Sequence, residues 1–365
     1  MRRALRIIWI IALLLGCGLY LLSCLAPFVN PGSFPLLGII GLGFPACFIG
    51  MIILLWISFF VSRRQAVLIS VCLLSGTYNI YNYVSFFPSA DKTPDAYKEI
   101  SIMTWNVKNF DLYSWTNNHQ TKQKMLELIR SEDPDILLLQ EFYTDDTKNF
   151  NTLKELQKSY PYVHFRKSVT LYKTKYWGLA TFSKYPIMEE HAIRFSNSKH
   201  NMAIISEIEV NGTRFNVFNL HMQSIQFDGE DLEQMERVTE EGNASTFPLR
   251  RVLGKLKRGY EKRGHQADTL AQYISASKLP SIVCGDFNDS PNSYTYLTLR
   301  KGLQDAFRKD GRGIGNTYNV PFPSLRIDFI LPHQSFPVID YKVLREDLSD
   351  HYAVKAVIAV PKGGE

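Results

Sequence analysis

Acidic residues are absent from the first ninety positions of this 365-residue chain, where the only charges are arginines at positions 2, 3, 6, 63 and 64. Removing these five leaves 36 Lys and Arg against 35 Asp and Glu in residues 91–365, a net charge of +1. The composition therefore gives no support to a strongly basic nucleic-acid-binding surface. Internal repeats and low-complexity tracts are also absent, which excludes a repeat array.

Cysteine is scarce as well. Four of the five cysteines lie at positions 17, 24, 47 and 72, and Cys284 stands alone downstream. A disulfide within residues 91–365 is thus excluded, so an oxidising compartment would be tolerated without being exploited. The length is nevertheless sufficient for a substantial hydrophobic core.

Long apolar runs dominate the first ninety residues. The runs cover Leu5–Ala26, Leu36–Val61 and Ala66–Phe87. Each is near the ~20 residues that cross a bilayer as a helix, so we expect a membrane region over 1–90 with about three transmembrane helices. An alternative takes residues 1–24 as a cleaved signal, because Leu21-Leu22-Ser23-Cys24 resembles a bacterial lipoprotein cleavage site.

The positions of the arginines predict the orientation, because positively charged flanks stay in the cytoplasm. The N-terminus and the loop at Arg63–Arg64 are expected inside. Three spans then deliver everything after Phe87 to the outer side. These features predict a multi-pass inner-membrane protein with a periplasmic C-terminal domain and the lipid bilayer as a partner; no obligate protein partner is inferred.

Residues 91–99 are interpreted as a linker, and residues 100–365 as one α/β domain in which short strands alternate with helices. Strands are predicted at 101–106, 135–140, 178–183, 203–210, 215–221, 281–286, 326–331 and 353–360, and helices at 120–130 and 250–277. An acidic run over 228–241 and a basic run over 250–263 most simply neutralise each other. A mobile flap beside an active site is the alternative for these two runs.

Polar side chains repeatedly stand where apolar strands end. They are Asn106, Glu141, His221, Asp286, Asn288, Asp328, Asp350 and His351. Taken singly, each has an ordinary structural explanation as a turn, cap or surface residue. Together they predict an oxygen-rich site for Mg²⁺ or Mn²⁺ at one rim of the sheet, suited to activating water against a phosphate ester.

Several short segments carry a family resemblance. They are Thr104-Trp105-Asn106-Val107, Leu139-Gln140-Glu141, Trp177–Ile187, Asn219-Leu220-His221, Gly285-Asp286-Phe287-Asn288, Arg326–Ile330 and Ser349-Asp350-His351. In their order and contexts they resemble the endonuclease/exonuclease/phosphatase family, which includes DNase I, exonuclease III, neutral sphingomyelinase and inositol-polyphosphate 5-phosphatase. The resemblance implies a DNase I-like four-layer α/β sandwich, with two packed mixed sheets flanked by helices.

The resemblance also implies the metal ligands. Glu141 would be the principal ligand of Mg²⁺ (or Mn²⁺), with Asn106 and Asp350 close to the ion. Tyr176 falls where some members place a tyrosine that contacts the phosphate. Lys108 stands where some nucleases have an acid, which leaves the number of ions open.

Catalytic roles follow from the same resemblance. Asp286 would orient or deprotonate the attacking water, helped by Asn288. His351, held by Asp328, would contact the scissile phosphate, and His221 would stabilise charge on the phosphate oxygens.

These observations lead to a membrane-anchored, metal-dependent phosphoesterase that hydrolyses phosphodiesters or phosphomonoesters. Nucleic acids, phospholipid or sphingolipid head groups and inositol phosphates or other small esters remain open as substrates. A catalytically inactive membrane scaffold or receptor of the same fold is the alternative. A channel is less consistent with the sequence, because the apolar runs contain no Asp, Glu, Lys or His.

Overall fold

A computed structural model of the chain describes residues 2–86, 88–147, 149–196, 198, 200–225, 249–319 and 325–363. These residues group into two compact units. Unit 1 comprises Met1–Tyr83, Gln223–Asp268 and Pro291–Thr298; unit 2 comprises Val84–Met222, Thr269–Ser290 and Leu299–Glu365. Unit 1 therefore includes two segments that sequence analysis places in the domain 100–365.

Unit 1 begins with apolar helices. They are α1 (Arg2–Leu25), α2 (Pro35–Leu42), α3 (Phe44–Val61), α4 (Arg63–Leu74) and α5 (Thr77–Tyr83). Two segments in the described part of the chain are long and apolar enough to cross a membrane, Ala4–Phe28 and Phe44–Val61. Only 22% and 17% of their most apolar windows are buried, unlike the core helix of a soluble protein.

The expectation of a third span over 66–87 is wrong. This stretch is divided into α4, with 12 residues, and α5, with 7 residues. The amides of Ser75 and Gly76 bond to the carbonyls of Cys72 and Leu73, three residues back, so the helix tightens and ends there. The second apolar run is also interrupted: α2 ends at Leu42 and α3 begins at Phe44.

Helices α4 and α5 lie alongside α1. Near the arginine-bearing end, Trp9 Nε1 donates a hydrogen bond to Gln65 Oε1 at 2.9 Å. Near the other end, Asn79 Nδ2 donates to the carbonyl of Cys24 at 3.2 Å. The arginines and the C-terminal end of α1 thus lie at opposite ends of a helix about 36 Å long.

A long helix and a short one, α8 (Leu249–Ala276) and α9 (Tyr294–Leu299), contribute to unit 1. Asp268 accepts hydrogen bonds from Asn30 Nδ2 at 2.6 Å and from the Tyr294 hydroxyl at 2.5 Å. A Cβ on Gly38 would lie 2.5 Å from Cδ1 of Tyr260, so only glycine permits this approach of α2 to α8. The predicted helix over 250–277 is confirmed, whereas the acidic run over 228–241 lies outside the described residues.

Asn292 joins three apolar helices of unit 1. Its Nδ2 donates to the carbonyls of Ser23 at 3.0 Å and Gly41 at 3.2 Å, and its Oδ1 accepts from Asn79. Asn292 and Asn79 are each only 1% exposed. These bonds satisfy buried amide groups that would otherwise destabilise the fold.

Unit 2 is an α/β structure. Its described strands are β1 (Tyr97–Asn106), β2 (Ile136–Asp145), β3 (Tyr162–Leu171), β4 (Lys175–Ser183), β5 (Ile187–Arg194), β6 (Met202–Val210), β7 (Thr213–His221), β8 (Ser281–Asp286), β9 (Asp328–Pro332), β10 (Val338–Leu344) and β11 (Ala353–Pro361). Helices α6 (Thr121–Glu132), α7 (Thr152–Leu156) and α10 (Ala306–Asp310) accompany them. The sheets have the orders β10-β11-β1-β2-β4-β3 and β5-β6-β7-β8-β9. Both are mixed, since β1–β2 and β7–β8 are parallel among antiparallel pairs.

Side chains on the two faces of β1 pack into different layers of the structure. Ile100 and Ile102 join a buried cluster with residues of β7 and β8, so the two sheets pack face to face. Met103 and Trp105 join a second cluster with residues of α6. Each buried aliphatic side chain contributes about 1.5–3 kcal/mol. The expected architecture of two packed mixed sheets flanked by helices is confirmed.

Three strands differ from the sequence analysis, which did not predict β3, β5 and β10. Each lies at an edge of its sheet. In addition, β1 begins at Tyr97, so the last part of the predicted linker over 91–99 belongs to a strand.

Candidate active site

Strand pairing brings the polar strand ends together. The parallel strands β7 and β8 place His221 opposite Asp286, and the antiparallel pair β8–β9 places Asp286 opposite Asp328. In the other sheet, β1 ends at Asn106 in register with Gln140, directly before Glu141. The two sheets thus present their polar ends at a common rim.

Glu141 lies in an irregular part of β2. Its φ is 48°, and the β2–β4 register shifts between Leu139 and Phe142. Asn106 Nδ2 donates to Glu141 Oε1 at 3.3 Å and to Asp286 Oδ2 at 3.0 Å. The amide nitrogen of Asn106 therefore contacts one carboxylate from each sheet.

Asp286 is held in one orientation. The preceding Gly285 has φ +127°, and a Cβ there would lie 2.2 Å from the Leu220 carbonyl oxygen, so the position requires glycine. Asn288 donates its backbone amide to Asp286 Oδ1 at 2.8 Å and its Nδ2 to Oδ2 at 3.0 Å. Burial raises the pKa of Asp286, although the cationic form of His351 opposes this shift.

His351 and Asp328 form a buried pair. Nδ1 of His351 lies 2.9 Å from Asp328 Oδ2, and Nε2 lies 3.8 Å from Asp286 Oδ2. The indole of Trp105 donates to the His351 carbonyl at 2.9 Å, which fixes the backbone. Burial disfavours the imidazolium, but Asp328 and Asp286 outweigh it and raise the pKa of His351 to about 10.

His221 completes the group. Its Nε2 lies 3.6 Å from Glu141 Oε1 and 3.8 Å from Asp286 Oδ2. The structure therefore brings most of the predicted site residues together. They are Asn106, Glu141, His221, Asp286, Asn288, Asp328 and His351.

Two predicted residues have other partners. Asp350 Oδ2 lies 2.8 Å from the ammonium of Lys108. Tyr176 is half-buried, and its hydroxyl donates to Asp146 Oδ2 at 3.3 Å and to the Lys173 carbonyl. Tyr176 therefore contributes no described contact to the rim.

Two site residues were missed by sequence analysis. The Thr317 hydroxyl accepts the amide of Asp328 at 3.1 Å, and the Tyr318 ring lies 5.1 Å from the His351 ring in an edge-to-face arrangement. Burial, followed by the charges of Asp350, Asp286 and Glu141, raises the pKa of Tyr318 to about 12. Both residues lie outside the named strands, and only a Thr-Tyr pair ahead of the Asp328 strand could have indicated them.

The side chains at this rim fit a divalent cation. Glu141 and Asp286 supply carboxylate oxygens, which Mg²⁺ and Mn²⁺ prefer, and Asn106 turns its Nδ2 toward both carboxylates while its Oδ1 accepts the Lys108 amide. A second, buried set comprises Asp286, Asp328 and His351, whose ligand atoms lie within 4.8 Å of one another. In that set, however, Asp328 and His351 already bond to each other.

Comparisons with family models divide the chain into two parts. The model described as the endonuclease/exonuclease/phosphatase family matches residues 103–351. A second model, described as a domain of unknown function (DUF8431), matches residues 5–83. The two matches correspond to the catalytic and apolar parts identified in the sequence.

Similar individual proteins agree with the first match. The Ccr4 exoribonuclease subunit of the CCR4-Not complex from Emericella nidulans is 24% identical over 245 residues, covering 52% of this chain and 33% of the relative. The corresponding Schizosaccharomyces pombe subunit is 25% identical over 248 residues, covering 56% and 35%. The chain thus spans about a third of the length of these curated relatives.

A solved structure shows the same fold. An endonuclease/exonuclease/phosphatase from Beutenbergia cavernae superposes with a TM-score of 0.52 and 16% identity, covering 72% of each chain. This likeness confirms the expected DNase I-like arrangement of the sheets.

Proposed function

Because the chain belongs to the endonuclease/exonuclease/phosphatase family, we propose that it hydrolyses phosphate esters by in-line attack of water. The observation that carries this proposal is the convergence of Glu141 and Asp286 on the amide of Asn106, with His221 and His351 facing the same carboxylate. A buried carboxylate beside two imidazoles provides both a proton acceptor and positive charge.

Asp286 would orient the attacking water and accept its proton. Its carboxylate is only 1% exposed and is fixed by donors from Asn106 and Asn288. A base held on several sides loses little orientational freedom during reaction.

His351 would stabilise the phosphoryl oxygens and the leaving group. Its bond to Asp328 uses Nδ1, which leaves Nε2 directed toward the Asp286 side of the rim. His221, whose Nε2 lies 3.8 Å from the same Asp286 oxygen, would neutralise charge on the same phosphoryl oxygens.

A divalent cation such as Mg²⁺ or Mn²⁺, held by Glu141 with Asn106 and Asp350 nearby, would supply Lewis-acid charge to the phosphoryl group when bound. The protein side chains orient water and substrate around it. Phosphodiesters and phosphomonoesters of nucleic acids, lipid head groups and small molecules form the range of substrates to be tested.

We also propose that unit 1 anchors the hydrolase in a membrane. Large apolar side chains of its helices are exposed, including Leu14 at 69%, Phe60 at 77% and Leu68 at 68%. Such a surface is typical of contact with lipid. The arginine-bearing end of α1 would face the cytoplasm, and the end bound to α8 would face the periplasmic side of the inner membrane.

The test uses the full chain in detergent, assayed with and without Mn²⁺ on DNA, RNA, sphingomyelin, phosphatidylinositol lipids, inositol phosphates and bis(4-nitrophenyl) phosphate. Glu141→Gln is expected to weaken Mn²⁺ binding about 10-fold or more. His351→Gln is expected to retain that binding and lower kcat about 10²–10⁴-fold.

An exposed pair on β5 provides matched controls. His191 Nε2 lies 3.2 Å from Glu189 Oε2, so Glu189→Gln and His191→Gln make the same chemical changes away from the rim. Both controls should retain wild-type kinetics. Wild-type hydrolysis by Glu141→Gln and His351→Gln would refute the assignment.

A further inference from the structure

The ammonium of Lys108 lies beside the proposed cation site. Its Nζ is 2.8 Å from Asp350 Oδ2, and the two side chains are 30% and 29% exposed. This pair is therefore partly buried and open to an incoming ligand. We propose that Lys108 supplies the positive charge of a second cation, so that the site takes one divalent ion and binds the substrate phosphoryl group through this ammonium. The inference rests on the proposed phosphoesterase function.

The backbone around Lys108 has an unusual conformation that is held by a side chain of the site. Its amide donates to Asn106 Oδ1 at 3.1 Å, and its φ is 42°. Asn109, Phe110 and Asp111 continue the left-handed turn with φ values of 59°, 54° and 57°. Such residues persist only where surrounding contacts hold them, and they concentrate at functional sites.

The turn is held by the core. Phe110 is fully buried, with its ring centroid 5.6 Å from that of Phe142, and its amide donates to the Val107 carbonyl at 2.7 Å. The strained backbone therefore cannot relax without unpacking an aromatic side chain. Lys108 is consequently presented at the rim by a rigid segment.

Two neighbours position the ammonium without using all its donors. Nζ lies 4.9 Å from the ring centroid of Trp115, an aromatic face that attracts a cation. Asp350 engages one side of the nitrogen. A lysine has three N–H donors, so the others can bind phosphoryl oxygens that approach from solvent.

Both carboxylate oxygens of Asp350 have partners without a second ion. Its Oδ1 accepts a hydrogen bond from the Ser349 hydroxyl at 3.3 Å, while Oδ2 pairs with Lys108. A second divalent cation on this carboxylate would meet the positive charge of the ammonium. The geometry consequently favours one ion, held at Glu141.

The first measurement is calorimetric titration of the full chain in detergent with Mn²⁺, without substrate. Wild type and Lys108→Met are expected to bind one Mn²⁺ per chain, and Lys108→Asp to bind a second. Two ions bound by the wild type would overturn the proposal.

The second measurement is the Kd for inorganic phosphate in the presence of Mn²⁺. Lys108→Met should weaken phosphate binding about 10-fold, and Lys108→Arg should restore most of it. Lys98→Met is the matched control, because Lys98 lies on β1 with its Nζ 4.8 Å over the Tyr185 ring. Unchanged phosphate affinity in folded Lys108→Met would also overturn the proposal.

These readouts separate two failures. A wild-type chain that hydrolyses no phosphate ester would refute the proposed function. The wild-type Mn²⁺ stoichiometry and the effect of Lys108→Arg on phosphate affinity would still decide the role of Lys108.

Discussion

His351 Nδ1 lies 2.9 Å from Asp328 Oδ2, and these residues are 5% and 1% exposed. A buried carboxylate at this distance fixes the Nδ1 proton and the orientation of the ring. The orientation in which Nε2 of the ring faces Asp286 is thereby set by β9, whose first residue is Asp328.

Asp328→Asn should lower kcat about 10²–10⁴-fold with little change in KM, because an amide can stabilise the wrong tautomer of His351. Steady-state kinetics on the best substrate measures the effect. The double variant Asp328→Asn/His351→Gln should be no slower than His351→Gln alone, since the two residues act as one unit. A double variant in which the two single-variant losses of kcat multiply would contradict this coupling.

The stability of unit 2 should decrease when the pH is lowered, because His164 is buried in its neutral form. This residue is 2% exposed and hydrogen-bonds to Ser206, and burial lowers its pKa from 6.5 to about 4. Glu190, at 3.9 Å, does not offset burial because its side chain is 52% exposed. Between pH 6.5 and 4 the unfolded chain gains a proton that the folded chain lacks, so acidification favours unfolding.

At pH 4, His164 is expected to lower the free energy of unfolding by about 3 kcal/mol relative to its value at neutral pH. His164→Gln should lose less thermal stability than the wild type when the pH falls from about 7 to about 4. His119→Gln, an exposed substitution two residues before the start of α6, is the control. Equal acid sensitivity of wild type and His164→Gln would exclude this origin.

The ion pair between Arg326 and Asp305 is fully buried. Arg326 Nη1 lies 2.8 Å from Asp305 Oδ2, with both side chains 1% exposed. Asp305→Ala should destabilise the protein by about 3–5 kcal/mol, because it leaves a buried guanidinium without its carboxylate. Glu155→Ala, which removes the partly exposed partner of Arg130, should change stability by less than about 1 kcal/mol. Urea unfolding followed by tryptophan fluorescence compares the two, and similar midpoints would contradict the prediction.

The proposed orientation can be tested by labelling single introduced cysteines. Ser89→Cys should react with a membrane-impermeant maleimide in intact cells, whereas Ser62→Cys, beside the arginines, should react only after permeabilisation. The wild-type chain serves as background, because its five cysteines are buried or partly buried. The reverse pattern would place the hydrolase in the cytoplasm.

The sequence predicts the sheet interior better than its edges. Central strands such as β2 and β8 are apolar runs buried on both faces, with a pattern that is visible without a structure. Edge strands such as β5 are mostly exposed, so their residues follow no clear alternation.

The same physical distinction applies to the site. His221, Asp286 and Asp328 end or begin neighbouring strands, so strand order alone brings them together. The Lys108–Asp350 pair and the position of Tyr318 depend on irregular backbone and distant side chains. Composition likewise cannot show that the apolar run after residue 66 divides at Ser75 and Gly76.

The chain passes between the two units five times, after residues 83, 222, 268, 290 and 298. A single cut between the apolar helices and β1 would separate residues 1–83 covalently from the rest of the chain, while the segments 223–268 and 291–298 would stay joined to unit 2. The two fragments would still be held together inside unit 1, where Asn292 bonds to the carbonyls of Ser23 and Gly41. A chain nicked there is therefore expected to stay in one piece until a denaturant breaks these contacts.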